Sequence, residues 1–186
     1  MAPLSALQLL FMLLVVPCVL QAHRLDEYLQ AAQVVIEPAQ VRLLLVLEPG
    51  VEVAAQVLQH IDRDRDQMIS RTEADAYINT VQRDLTLHLN GQMLQLKLDD
   101  SEFDTPAELR SGSGIIRLVF SAAVKTTRPG AHQLVFENRH LGTISVYLFN
   151  AMQPDLPAIQ ISRQRRNDTQ SMGEIDYILA GAPKAL

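Results

Sequence analysis

Short apolar runs recur along most of this chain, and in the clearest of them apolar and polar residues alternate with the period-two spacing of half-buried strands. "YLQAAQVVIE" from Tyr28 and "VRLLLVLEPG" from Val41 are two apolar runs separated by the turn-like "PAQ", which predicts a hairpin. In "LTLHLNGQMLQLKL", Leu85, Leu87 and Leu89 alternate with polar residues, Asn90-Gly91 supplies a type I′ turn, and Met93 to Leu98 returns. "GIIRLVFSAAV", "GAHQLVFENRH", "GTISVYLFN", "AIQISRQRR" and "GEIDYILA" follow in a regular rhythm, with turn-forming residues between them. That rhythm predicts an antiparallel sandwich. "SEFDTPAELRSGSG" reads as a surface loop.

The period changes once, between Pro49 and Asp84. "VEVAAQVLQHI" spaces Val53, Val57 and Ile61 as a helix does, and "RTEADAYINTVQRDL" puts Ala74, Tyr77, Ile78 and Val81 on one helical stripe. The expected fold class is therefore α+β: an antiparallel β-sandwich-like domain with one inserted helix-loop-helix over residues 51–83.

The first 22 residues stand apart. "LSALQLLFMLLVVPCVLQA" is an uncharged apolar run containing Pro17, and it breaks abruptly into "HRLDEY". Its length and flanks read as a signal peptide rather than a membrane span, with an uncleaved anchor as the rival. Cleavage near Ala22 predicts an exported, periplasmic or extracellular, β-rich domain over residues 23–182. The single cysteine, Cys18, leaves with the leader, so neither disulfides nor thiol chemistry is expected in the mature protein. The formal net charge of −5 and the scattered basic residues argue against a nucleic-acid surface.

The chemistry concentrates in "IDRDRDQMIS RTEADAYI", Ile61 to Ile78. Calcium takes about seven oxygen ligands, and a twelve-residue loop between two helices can supply them. Counting from Asp62, the carboxylates Asp64 and Asp66 fall third and fifth, and Met68 is seventh, where only the carbonyl is used. Ser70 is ninth, suited to reaching the ion through water, and Glu73 is twelfth, suited to bidentate ligation. Ile69 is eighth, where an apolar side chain pins the loop to the core. From Val51 to Arg83 this arrangement resembles the EF-hand.

Gln67 departs from the pattern, because the sixth position needs a left-handed backbone and usually carries glycine. The cost is roughly 1–2 kcal/mol, or about tenfold in affinity, which weakens a site without abolishing it. Arg63 and Arg65 offset part of the acidic charge, and no partner hand is visible. A metal-free turn capping two helices is the competing reading. A sensor role is disfavoured, since the predicted helices are tied at both ends to a sheet.

No G-x-S-x-G or H-E-x-x-H pattern is present, so no catalytic residue is assigned and a non-enzymatic role is expected. "NRH" at Asn138 to His140 marks either a binding edge or a turn into a buried strand. An enzyme site there would require His140, Glu137 and Asn138 to cluster in a concave pocket. The alternative to calcium is an accessory domain for copper or nickel handling or transport, with the amine and imidazole of a new amino-terminal His23 acting with a second histidine among His60, His88, His132 and His140.

Taken together, "AHRLDEYLQA", "IDRDRDQMIS" with Glu73, and "DLTLHLNGQMLQL" resemble a bacterial exported-domain family. Similar segments precede the membrane helices of nickel/cobalt-efflux and hydrogenase- or urease-accessory transporter proteins. The resemblance implies a location outside the cytoplasm and a β-rich domain, and it raises a membrane or envelope protein as a partner beside the calcium ion. It brings no catalytic residue.

Overall fold

A computed structural model describes residues 26–125, 128–153 and 157–181. The leader and His23 lie outside the described residues. Among the described residues, ten strands and three helices follow one another. β1 (Tyr28–Ile36) and β2 (Gln40–Pro49) precede α1 (Val51–Ile61) and α2 (Arg71–Asp84). Then come β3 (Leu85–Leu89), β4 (Gln92–Met93), β5 (Lys97–Phe103), α3 (Pro106–Arg110) and β6 (Ile116–Ala123). β7 (Gly130–Asn138), β8 (Ser145–Met152), β9 (Ile159–Arg166) and β10 (Met172–Leu179) follow. No helix among the described residues is long and apolar enough to cross a membrane.

The strands form two five-stranded sheets, ordered β5-β6-β2-β1-β8 and β4-β3-β7-β10-β9. Pairing is antiparallel throughout except between β1 and β8, which run parallel with Tyr28 opposite Ser145. The "PAQ" turn joins β1 to β2 as the pattern predicts. Asn90 and Gly91 both have positive φ, at 50° and 79°, as a type I′ turn requires.

Two segments differ from the expectation. The strand returning from Asn90-Gly91 pairs only at Gln92 and Met93, after which the chain crosses to the other sheet as β5. Leu94 and Leu96 pack against the core along this crossing. The Gln82 side-chain amide also donates to Leu96 O at 2.8 Å. The expected surface loop at Ser101 contains the end of β5 and the helix α3. Thr105 caps α3, Pro106 opens it, Glu108 closes a capping box, and Leu109 is fully buried.

Side chains of both sheets and all three helices meet in one apolar cluster. Leu43, Leu45, Leu118 and Phe120 contribute from the first sheet, and Leu87, Leu134, Phe136 and Ile175 from the second. Val53, Val57, Ile61, Tyr77, Ile78 and Val81 supply the helical stripe, while Ala74 is only partly covered. Phe136 and Phe149 stack across the sheets with ring centroids 5.6 Å apart. Gly173 lies directly under the Phe149 ring, where a Cβ would overlap its edge atoms.

Gly173→Ala is therefore expected to destabilise the fold by about 1–3 kcal/mol, the usual cost of overpacking a filled core. Chemical denaturation of the wild type and variant measures it, and an unchanged midpoint would contradict this packing.

Candidate metal centre

The loop between α1 and α2 starts where the apolar face of α1 ends. Ile61 is fully buried, and Asp62 beside it is only 7% exposed. Asp62 N–H donates to Leu58 O at 2.8 Å and so closes α1 with its carboxylate held inward. The chain then turns tightly, with Gln67 at φ +67°. This is the left-handed conformation expected at the sixth position. Arg65, at φ +64°, is a second left-handed residue that the ligand count alone did not anticipate. Each costs about 1–2 kcal/mol relative to an ordinary backbone.

These turns aim backbone amides at the acidic side chains. Asp66 N–H donates to Asp64 Oδ1 at 3.1 Å, and Met68 N–H donates to Asp66 Oδ1 at 2.8 Å. Gln67 N–H donates to Asp62 Oδ2 at 3.2 Å. Asp62 Oδ1 receives no hydrogen bond although it is buried, alone in this among the described side-chain atoms. Oxygens of Asp62, Asp64 and Asp66 lie within 4.8 Å of one another. They are close enough to hold one metal ion.

The remaining predicted positions are arranged differently. The Met68 side chain is 66% exposed, leaving its carbonyl as the relevant group, and Ile69 packs against the core. Ser70 and Glu73 form a capping box that starts α2. Ser70 Oγ donates to Glu73 Oε2 at 2.7 Å, and Ser70 N–H donates to the same oxygen at 3.0 Å. Glu73 Oε1 accepts from Arg63 N–H at 2.7 Å, so this carboxylate ties the two ends of the loop together. Bonds from the Ser70 hydroxyl, then from the Ser70 amide, hold the Glu73 carboxyl below its usual range and keep it ionised. The three aspartates are thus brought together, while Glu73 braces them from outside the group. The S-x-x-E spacing announces this box in the sequence.

A polar chain that neither periodicity nor a motif indicates joins β1, α2 and the turn after β7. Tyr28 OH and Tyr77 OH are 2.6 Å apart, Tyr77 OH is 3.1 Å from His140 Nε2, and His140 Nδ1 is 2.7 Å from Asp84 Oδ2. One proton arrangement satisfies every member. His140 Nδ1–H donates to the Asp84 carboxylate, Tyr77 donates to Nε2, and Tyr28 donates to Tyr77. Tyr28 belongs to β1 and Tyr77 to α2, so the chain bolts the second helix onto the sheets.

Asn138 and His140 are both buried, and the Asn138 amide donates to Gln30 Oε1 at 2.8 Å. Glu137 lies on the alternate side of β7 and pairs with Arg139 at 3.6 Å. Asn138 and His140 of "NRH" are therefore buried and hydrogen-bonded while Arg139 is exposed, and Glu137 does not join them on the buried side of β7. His60 is exposed, while His88 and His132 are partly covered.

Burial depresses the His140 pKa from its ordinary value, and the bond to Asp84 only partly opposes this. A histidine held neutral in the fold binds its proton more readily once unfolded. Its contribution is therefore complete above about pH 6.5 and is lost as pH falls below that value toward the folded pKa. The melting temperature is expected to fall between about pH 7 and pH 5. His140→Gln should flatten that dependence, whereas a wild-type curve that is level or rises on acidification would contradict it.

No protein-family model matches this chain and no curated protein matches it, so the bearing on function comes from the chemistry of the loop itself.

Proposed function

We propose that this protein is an exported, non-enzymatic calcium-binding module in which one EF-hand-like site staples a helical insertion onto a β-sandwich-like domain. The observation that carries the reading is Asp62, whose buried Oδ1 has no donor and whose carboxylate groups with those of Asp64 and Asp66. A buried polar atom without a partner costs about 1–3 kcal/mol, and more when charged. A cation removes that penalty and neutralises the clustered charge at once. Oxygen-only donors favour a hard ion such as calcium over the softer transition metals.

The proposed ligands are Asp62, Asp64, Asp66, the Met68 carbonyl, Ser70 through water, and Glu73. On this reading Glu73 exchanges part of its bonding to Ser70 and Arg63 for the ion. Arg63 and Arg65, interleaved with the ligands, offset part of the acidic charge and keep the affinity low. A dissociation constant in the range of about 10⁻⁴–10⁻³ M, normal for extracellular modules, is the corresponding expectation. The apolar faces of both helices belong to the same cluster as the sheets, which favours a fixed staple over a hinge that opens. Export rests on the apolar leader and on the resemblance of the mature chain to exported bacterial domains.

Calcium at tenfold excess over its dissociation constant should stabilise the fold by about 1.4 kcal/mol, or about 3–6 °C in melting temperature. Asp62→Asn should abolish the increase, as should Glu73→Gln, which keeps an acceptor for the helix cap. Unchanged melting at about 10 mM calcium, tenfold above the weakest expected constant, would sink the proposal.

Gln67 is already left-handed in the fold, so Gln67→Gly should remove a folding cost of about 1–2 kcal/mol and raise the melting temperature without calcium. Thermal denaturation measures this, and a melting temperature at or below that of the wild type would contradict strain at Gln67.

A further inference from the structure

The outer faces of the two sheets differ in kind. On the second sheet, Arg165 bonds Glu174 at 2.6 Å and Asp176 at 3.1 Å, and the Gln133 amide donates to Asp176 at 3.3 Å. Apart from Ile178, which is 46% exposed, the outward residues named there are polar. On the first sheet, β1 and β2 abandon alternation. "RLLLVLE" is a continuous apolar run, the pattern of a strand covered on both sides.

The register places its outward members together. Ala31 faces Val46 on one side and Leu148 on the other, Leu29 faces Val146, and Leu44 faces Val119. These residues share the face opposite the core, because their strand neighbours Tyr28, Ala32, Leu43, Leu45, Leu47 and Phe149 are the buried ones. Leu148 and Met152 on this face remain 39% and 46% exposed.

We infer that the outer face of the first sheet is an interface for a second copy of this chain, packed sheet against sheet about a two-fold axis near Ala31. Two physical arguments select this occupant. The first is area. Four strands about 4.8 Å apart and six residue steps of about 3.3 Å, with side-chain margins, give a footprint on the order of 500 Å² per copy. Two such faces bury about 1,000 Å², the lower bound for a specific interface. The second is charge. Arg42 and Arg117 on this face already pair with Glu37 at 3.7 Å and Glu102 at 3.3 Å in their own copy. An anionic membrane surface would call for uncommitted cations. A face neutralised within itself is instead compatible with its own image. Sheets packed in this way lie about 10 Å apart with strands within about 30° of each other.

Sedimentation velocity of the purified full chain, from micromolar to several hundred micromolar, tests the inference. A reversible monomer–dimer equilibrium is expected, and Leu148→Asp should weaken it by at least about tenfold. Leu148 is exposed, so the variant should melt at nearly the wild-type temperature. Ala31→Cys, in a chain also carrying Cys18→Ser, provides an independent readout. It should cross-link to a dimer on mild oxidation, whereas Gln133→Cys on the opposite sheet should not. A chain that stays monomeric throughout, or a dimer untouched by Leu148→Asp, would overturn the inference. So would a monomer that binds phosphatidylcholine vesicles through these residues, which would make lipid the occupant.

Discussion

A carboxylate at the inner end of a helix, with one oxygen left without a donor, is the constraint around which the helical insertion is organised. Asp62 is drawn inward because Ile61 before it must be buried, and its amide is committed to closing α1. The left-handed turn at Gln67 delivers one amide, to Oδ2 alone. Oδ1 receives no N–H, and the Asp62 carboxylate groups with those of Asp64 and Asp66. Like charges gathered in this way repel, and burial strengthens the repulsion by lowering the local dielectric. On the proposed reading a calcium ion is the missing counter-charge, which is why the site is read as a staple.

The surroundings suit that role. β2 runs into α1 through Gly50 alone, and α2 runs into β3 with no intervening residue, so the insertion has little freedom at either end. Glu73 clamps the loop from Arg63 to Ser70, and the Tyr28–Tyr77–His140–Asp84 chain fixes the second helix to the first sheet and to the turn after β7. A calcium sensor of the kind that opens a groove would have to break these contacts and expose Tyr77, Ile78 and Val81. A structural ion needs only to hold the arrangement already formed.

Much of this was legible in the sequence, because the informative features were local. Period-two runs located nearly every strand, helical stripes located α1 and α2, and the spacing from Asp62 to Asp66 selected the three aspartates that come together. What was missed depends on distance along the chain or on fine backbone geometry. The parallel pairing of β1 with β8 joins segments more than a hundred residues apart. His140 meets Tyr77 and Asp84 only after the sheets close, so no spacing rule could bring them together. The short return strand at Gln92 continues an alternating pattern whose later members serve the other sheet. The Thr105 capping box was readable by its T-x-x-E spacing but lay within a segment rich in turn residues. The outward apolar residues of β1 and β2 were equally visible as an unbroken run, but only the register shows that they share one surface.

The most direct test of the calcium account is a titration followed by amide NMR, because the backbone N–H groups of the loop report on the carboxylates they touch. The account predicts that Gln67 N–H, bonded to Asp62, shifts together with Asp66 and Met68 N–H and saturates at one calcium ion per chain. Loop amides that stay unmoved at millimolar calcium, or that shift without saturating, would contradict it.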